Sequence, residues 1–440
     1  MEAVSGGTGD DEEQQLQQPA AATAATQPVR RVIPPELPMG WTQMGPVSTD
    51  LAPADRIHYP WDVVEEGTAG GIKFPPPDQE MIVVGTAGQK ITRMGGDLLA
   101  AKCGEDLRQL VLRSHLLTKM DGLGGFKNLK LLELYDNQIE ALEGLDDGED
   151  GRPGSTLATL DMSYNVIREM APVRLCTNLT ELYLAQNKIK FISGLKNLTQ
   201  LRKVDLGANR IRVIPEEELA GLDSLEELWL GKNKIEAIGG LANLTKLKRL
   251  DVQANRLTRI ENLTAQVDTL EELYLSHNGI DDEGASCETG LALPFSRLTT
   301  IDMSRNRMTS ARPFAHLLAL EDLWLSGNRI ENFEAIEPLS ALGQRDGACL
   351  EGIYLEMNPV SDDFEYRKRL ASMIPSLTKI DADVIGGNPG GGDRMGQMIA
   401  RMRELQEAAV QRAKAQEAEQ GQELEHTVEG PVDASKNKGS

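Results

Sequence analysis

From Leu107 onward the chain repeats one arrangement of apolar and polar positions, L-x-x-L-x-L-x-x-N-x-I. The repeats open at Leu107, Leu129, Leu157, Leu179, Leu201, Leu225, Leu247, Leu270, Leu298, Leu320 and Leu350. In the L-x-L core, apolar residues alternate with polar ones, which predicts a short strand with one buried face. The asparagine that follows is Asn137, Asn165, Asn187, Asn209, Asn233, Asn255, Asn278, Asn306, Asn328 or Asn358. A buried amide must satisfy its donors and its acceptor, so these residues are expected to stack and bond to the backbone of neighbouring turns. His115 takes the same place in the first repeat. The back half of each unit, as in "KIKFISGLKNLTQ", spaces its apolar residues about three apart, which suits a short helical turn.

No unit of this size closes its own core, so neighbours must stack. Most opening leucines recur 22 residues apart, as from Leu107 to Leu129 and from Leu225 to Leu247. That step lies in the leucine-rich-repeat range of roughly 20–29 residues. The predicted fold is therefore α/β: a leucine-rich-repeat solenoid, or horseshoe, with a parallel sheet on its concave side. Three insertions lengthen individual units and read as loops: "DDGEDGRPGS" from Asp146, "DDEGASCETG" from Asp281 and "GQRDGAC" from Gly343.

The expected organisation has five parts. Residues 1–80, rich in Gln, Ala, Pro, Gly and acid, form a disordered extension. A degenerate opening repeat and cap covers 81–106, and the repeats occupy 107–360. A C-terminal cap follows over 361–385, where Phe364, Tyr366, Leu370, Ile374 and Leu377 fit an amphipathic helix and a return. Residues 386–440 hold a linker, a short amphipathic helix through Met395, Met398, Ile399, Met402 and Leu405, and a disordered tail.

The residue between the two strand leucines points away from the core, onto the concave floor. It reads Asp161, Tyr183, Asp205, Trp229, Asp251, Tyr274, Asp302, Trp324 and then Tyr354. Acid and aromatic thus alternate over eight consecutive repeats. With neighbouring strands ~4.8 Å apart, acids recur about every 9.6 Å with an aromatic plate between them. The slot two residues earlier reads Thr159, Glu181, Lys203, Glu227, Arg249, Glu272, Thr300 and Asp322, where opposite charges on adjacent strands can pair. Duplication of a two-repeat unit explains the regularity. It does not explain large aromatics on a solvated face, and rows of Trp and Tyr are typical of recognition surfaces.

Composition narrows the class of partner. The net charge of −22 disfavours nucleic acid and favours a basic protein surface. The four cysteines, Cys103, Cys176, Cys287 and Cys349, lie far apart and show no metal or redox spacing. "MEAVSGGTGDDEEQQLQQ" has no apolar run of a secretory signal, and no stretch approaches a membrane span, so a reduced intracellular protein is expected. Asn178, Asn197, Asn243 and Asn262 each head an Asn-Leu-Thr triplet at equivalent places, which reads as repeat consensus rather than as glycosylation sites.

The motifs "ELYDNQIEALEGL", "RLDVQANRLTRIENL", "LEELYLSHNGI" and "IYLEMNPVSDDFEYRKRL…IPSLTKIDA" resemble the leucine-rich-repeat regulatory subunits of protein phosphatase 1 (the regulatory subunit 7 type). The resemblance runs from Leu107 to Asp383. It implies a non-catalytic, monomeric protein of nucleus and cytoplasm that binds the phosphatase catalytic subunit with its concave face. It also leaves room for a further phosphatase inhibitor in a ternary complex. The family's contact positions fall on Asp161, Tyr183, Asp205, Trp229, Asp302, Asp322, Trp324 and Tyr354. Tyr183 and Trp229 stand in for smaller aromatics, and Asp205 for a longer acid. Asp251 has no acidic counterpart there, and it joins the predicted floor, with Tyr274, through the alternation. The runner-up is a structural scaffold in a ciliary or cytoskeletal assembly; a receptor ectodomain ranks below it.

Signs of catalysis or cofactors are lacking. "GTAGQK" from Gly85 has the wrong spacing for a phosphate-binding loop, and the five histidines form no metal pattern. The plentiful carboxylates single out no acid–base pair. The fragments Arg56–Tyr59 and Ile72–Phe74 faintly resemble the short docking motif of phosphatase partners. No enzyme activity, cofactor or metal is expected, nor is a nucleic-acid or membrane partner.

Overall fold

A computed structural model describes residues 80–84, 90–94, 104, 106–146, 153–343 and 350–385. Of the expected extension 1–80 only Glu80 is described, and it opens the first strand; the rest of it, the segment 386–440, the two docking-like fragments and parts of the first and third insertions lie outside the described residues.

Among the described residues fourteen strands, from Glu80–Val84 to Asp383–Val384, form one sheet whose spatial order is the order of the chain. All neighbours are parallel except the last pair, Lys379–Ile380 with Asp383–Val384, which is antiparallel. That closing hairpin departs from the all-parallel expectation. Most repeat strands are only three residues long, with the middle residue buried and its neighbours half-buried. The buried middles stay in register: Leu160, Leu182, Val204, Leu228, Leu250, Leu273, Ile301, Leu323 and Ile353.

The turn after each strand explains the asparagine. Asn209 is buried; its Nδ2 donates to the carbonyls of Leu184 (2.9 Å) and Leu206 (3.0 Å), while its Oδ1 accepts from Ile189 N–H (3.0 Å). Each rung therefore ties a turn to the repeat before it, as the sequence led us to expect. His115 does the same at the first rung, accepting from Ile91 N–H at 3.1 Å. The residue before the asparagine takes a left-handed backbone, with φ of 56° at Gln186, 54° at Ala208, 57° at Lys232 and 52° at Ala254. A non-glycine residue pays about 1 kcal/mol for that conformation, and the rung bonds offset it. Short 3-10 turns, such as Ala171–Leu175 and Arg312–Phe314, close several units at the back.

The ends are covered. Met81, Ile91 and Met94 bury the first repeat's apolar edge. At the other end the helix Tyr366–Met373, with Ile374 and Leu377, buries Tyr366 and Leu370 over the last unit. Asp381 Oδ1 accepts from the N–H groups of Leu355 (2.8 Å) and Glu356 (3.1 Å). Phe364, expected on the buried face of this helix, is fully exposed. The helix starts two residues later, and the turn in which Asp363 Oδ1 accepts from Glu365 N–H (2.8 Å) turns Phe364 outward. The insertion from Asp281, read as loop, contains one helical turn, Asp282–Ala285, because the Asp281 carboxylate caps it by accepting from Gly284 N–H (2.9 Å).

Candidate interaction surface

The alternating slots do share the concave floor. Register places Asp161, Tyr183, Asp205, Trp229, Asp251, Tyr274, Asp302, Trp324 and Tyr354 side by side on successive strands, with Asp322 two residues before Trp324. The floor is nonetheless more recessed than a row of exposed plates. The aromatics are half-buried, and Asp251 and Asp302 are buried, at 3% and 7% exposure.

Asp251 is held low on the floor, its carboxylate accepting from the Gln253 N–H (2.8 Å) and Nε2 (2.9 Å), with aromatics on both sides. Trp229 and Tyr274 sit two strands apart, a backbone separation of about 9.6 Å, yet their rings stack with centroids 6.4 Å apart and planes at 16°. The carboxylate lies on the strand between them. Trp324 and Tyr354, on adjacent strands, form a second aromatic cluster at 5.2 Å.

The aspartates have a local task that the sequence pattern did not reveal. Asp161, Asp205, Asp251 and Asp302 each accept, at 2.8 Å, the backbone N–H two residues on, from Ser163, Gly207, Gln253 and Ser304. This is an Asx turn, which helps the chain leave the strand. It gives the acids a structural reason to be present beside any binding role. Burial raises the Asp161, Asp205 and Asp251 carboxyls above the ordinary carboxylate range, against the lowering effect of those same hydrogen bonds.

The slot two residues earlier holds the aromatics in place. Tyr183 O–H donates to Glu181 (3.3 Å), Trp229 Nε1 to Glu227 (3.1 Å) and Tyr274 O–H to Glu272 (2.6 Å). Burial, with Glu181 beside it, pushes the Tyr183 phenol up to about 12. Three of the expected cross-strand pairs are present, Lys203–Glu227 at 3.2 Å, Arg249–Glu227 at 3.4 Å and Arg249–Glu272 at 2.5 Å, while Glu181 accepts from Tyr183 and does not pair with Lys203. Burial works to raise Glu227 and Glu272, but their partners hold both net below the ordinary value. Lys203 also lies over the rings of Tyr183 (5.5 Å) and Trp229 (5.7 Å), and Arg249 over Trp229 (5.4 Å).

Trp324 differs from Trp229. Asp322 stands where Glu227 stands, one methylene shorter, and the Trp324 indole N–H has no hydrogen-bond partner among the described residues. The floor also extends further toward the N-terminus than the alternation suggested. Arg113 pairs with Glu133 at 2.5 Å and lies 5.7 Å over Tyr135, whose ring meets that of Tyr164 at 4.9 Å. Tyr135 and Tyr164 fall outside the alternating slot, so the strand pattern gave no signal for them. Among the described residues no cluster of His, Cys, Asp and Glu is suited to hold a metal ion, and no helix is long and apolar enough to cross a membrane.

A family model described as "Leucine rich repeat" matches residues 177–235 and again 199–257, and one described as "Leucine-rich repeat" matches 240–386. The fold is a leucine-rich-repeat solenoid. Among curated proteins, the chain is 34% identical over 121 residues to the "Protein phosphatase 1 regulatory inhibitor subunit PPP1R7 homolog" of Arabidopsis thaliana. That match covers 28% of this chain and 34% of the plant protein. It is 28% identical over 117 residues to the uncharacterized protein F09G8.5 of Caenorhabditis elegans, covering 26% of this chain and 23% of that protein. The matched stretch thus spans about a third of the first relative and less than a quarter of the second. Among solved structures, a Leptospira interrogans LRR protein superposes with a TM-score of 0.54 at 23% identity, covering 67% of this chain and 70% of its own. An internalin (inlF) of Listeria monocytogenes gives 0.55 at 22%, covering 70% and 82%. Both show the fold alone.

Proposed function

We propose that this protein is a non-catalytic regulatory subunit that binds the protein phosphatase 1 catalytic subunit on its concave floor. The observation that carries the reading is the ordered row of aspartates and aromatics from Asp161 to Tyr354, in which Tyr183, Trp229 and Tyr274 are braced by glutamates. The partial similarity to the plant phosphatase regulator supports it. The contact set is Asp161, Tyr183, Asp205, Trp229, Asp251, Tyr274, Asp302, Asp322, Trp324 and Tyr354. Within it Trp324 is a half-buried anchor packed beside Tyr354, whereas Asp251 acts through the rings of Trp229 and Tyr274 on either side of it. Binding would favour whichever phosphatase conformation fits the floor, in nucleus and cytoplasm, with the solenoid monomeric on its own.

Calorimetry with purified catalytic subunit tests this, comparing wild type with Trp229→Ala/Trp324→Ala. Each lost anchor should cost about 2 kcal/mol or more, together on the order of a thousandfold in Kd. A folded wild-type chain that does not bind the phosphatase would sink the reading and favour a structural scaffold.

A further inference from the structure

The concave floor is acidic, but one flank of the solenoid carries the opposite charge. As the chain leaves each asparagine turn, the residue after the asparagine bonds to the preceding repeat. Lys188 N–H donates to Ile167 O, Arg210 to Ile189, Lys234 to Ile211 and Arg256 to Ile235, all at 2.8–2.9 Å. These four cations therefore form a column one repeat apart. Lys190 and Arg212 stand two residues further on in their own units, both exposed, with buried Ile189 and Ile211 between each pair. Next to them Phe191 and Val213 occupy equivalent places in successive repeats and are 77% and 68% exposed. Together they line a hollow of about 560 Å³ whose wall includes Lys190, Arg210, Arg212 and Lys234.

Few acids offset this strip. Glu217 and Glu218 border the hollow, and Glu218 is already committed, accepting from Leu195 N–H at 3.0 Å. Glu236 lies 4.0 Å from Arg212 and 3.7 Å from Arg256, with all three side chains more than half exposed, so those contacts are weak. Lys190, Arg210 and Lys234 have no ion-pair partner among the described residues. In a chain of net charge −22 such a strip runs against the average.

We propose that this flank docks an acidic protein segment that carries a large apolar side chain. The carboxylates would meet the cation column, and the apolar side chain would fill the hollow beside Phe191 and Val213. Charge complementarity and the paired apolar residues favour this occupant. A polyphosphate chain is disfavoured, because it has no apolar side chain to fill the hollow beside Phe191 and Val213. The site lies off the floor, so a partner here and one on the floor are independent.

The test is fluorescence anisotropy with the full-length chain and a labelled peptide of Asp and Glu around a central phenylalanine. The expected result is binding that weakens as salt rises. Lys190→Glu/Arg212→Glu and, separately, Phe191→Ser should each weaken it by about tenfold or more, while Trp229→Ala leaves it unchanged. All three flank positions are exposed, so the variants should melt like wild type. The proposal is overturned if wild type does not bind the peptide or if the flank variants bind as wild type does. It is equally overturned if Trp229→Ala abolishes binding, or if polyuridine RNA binds more tightly than the acidic peptide.

Discussion

The asparagine rungs can be weighed against one another within one molecule. Asn209→Ala removes an accepted bond from Ile189 N–H (3.0 Å) and donated bonds to Leu184 O (2.9 Å), Leu206 O (3.0 Å) and Gly207 O (3.2 Å). The rung is buried, so at least one backbone group is left without a partner or water. At about 1 kcal/mol per net bond, and about 1–3 for each orphaned group, the loss should reach roughly 3–5 kcal/mol. That is a large share of the roughly 5–15 kcal/mol typical of a folded domain. Asn255 makes the same set of bonds, to Leu230 O (3.0 Å), Val252 O (3.0 Å), Gln253 O (3.1 Å) and from Ile235 N–H (2.9 Å), but it is only partly buried. Water can replace part of what Asn255→Ala removes, so that variant should lose at least about 1 kcal/mol less. Equilibrium urea unfolding, followed by far-UV circular dichroism, reads both. A change of slope would mark a solenoid that unfolds in parts. If Asn209→Ala stays within about 1 kcal/mol of wild type, the turns are held by their backbone and the argument from buried bonds fails.

Three further outcomes are expected. Burial raises the Asp161, Asp205 and Asp251 carboxyls in the folded chain. The stability linked to them is therefore fully present below their unfolded values and is lost as pH rises through the folded ones. Asp251→Asn keeps an oxygen for the Gln253 N–H, lets a turned Gln253 side-chain amide accept from the new Nδ2 where its Nε2 now donates to Oδ2 (2.9 Å), and removes the charge. It should be no less stable than wild type at neutral pH and should show a flatter acid side in melting curves from about pH 4 to 7; a clear loss at neutral pH would refute this. Leu370→Ala, at a fully buried position in the C-terminal helix, should cost about 2–5 kcal/mol and expose the last repeats to protease first; uniform loss of protection along the chain would show that the cap is not a local seal. Trp229→Ala/Trp324→Ala should leave the melting temperature lowered by less than Leu370→Ala does, since both indoles are only half-buried. Differential scanning calorimetry decides between them.

The stacking direction and the asparagine rungs were legible because each depends on one residue's burial and a fixed repeat. Leu182 and Asn187 say the same thing in every unit. The depth of the floor was not legible, because it depends on side chains two strands apart. Nothing in the string around Asp251 states that the rings of Trp229 and Tyr274, on either side of it, stack. The helical turn at Asp282–Ala285 was missed because the composition of its segment masked the cap at Asp281. Phe364 was misplaced because helical spacing does not reveal where a helix begins. The basic flank was hidden by the overall negative charge: Lys188, Arg210, Lys234 and Arg256 are visible in sequence only when read by rung.

The strict register of the sheet has a metric consequence. The interval from Leu320 to Leu350 exceeds the common 22 residues, yet Leu323 still pairs with Ile353 and Trp324 with Tyr354. The longer interval leaves the pairing of the two strands it joins in register. The floor therefore works as a ruler whose graduations are set by strand spacing alone, at about 4.8 Å per unit. A longer interval between strands leaves the scale unaltered. A partner read against that scale tolerates great variation in loop length but no slip of a strand by a single residue, which would turn every mark on that line to face the core.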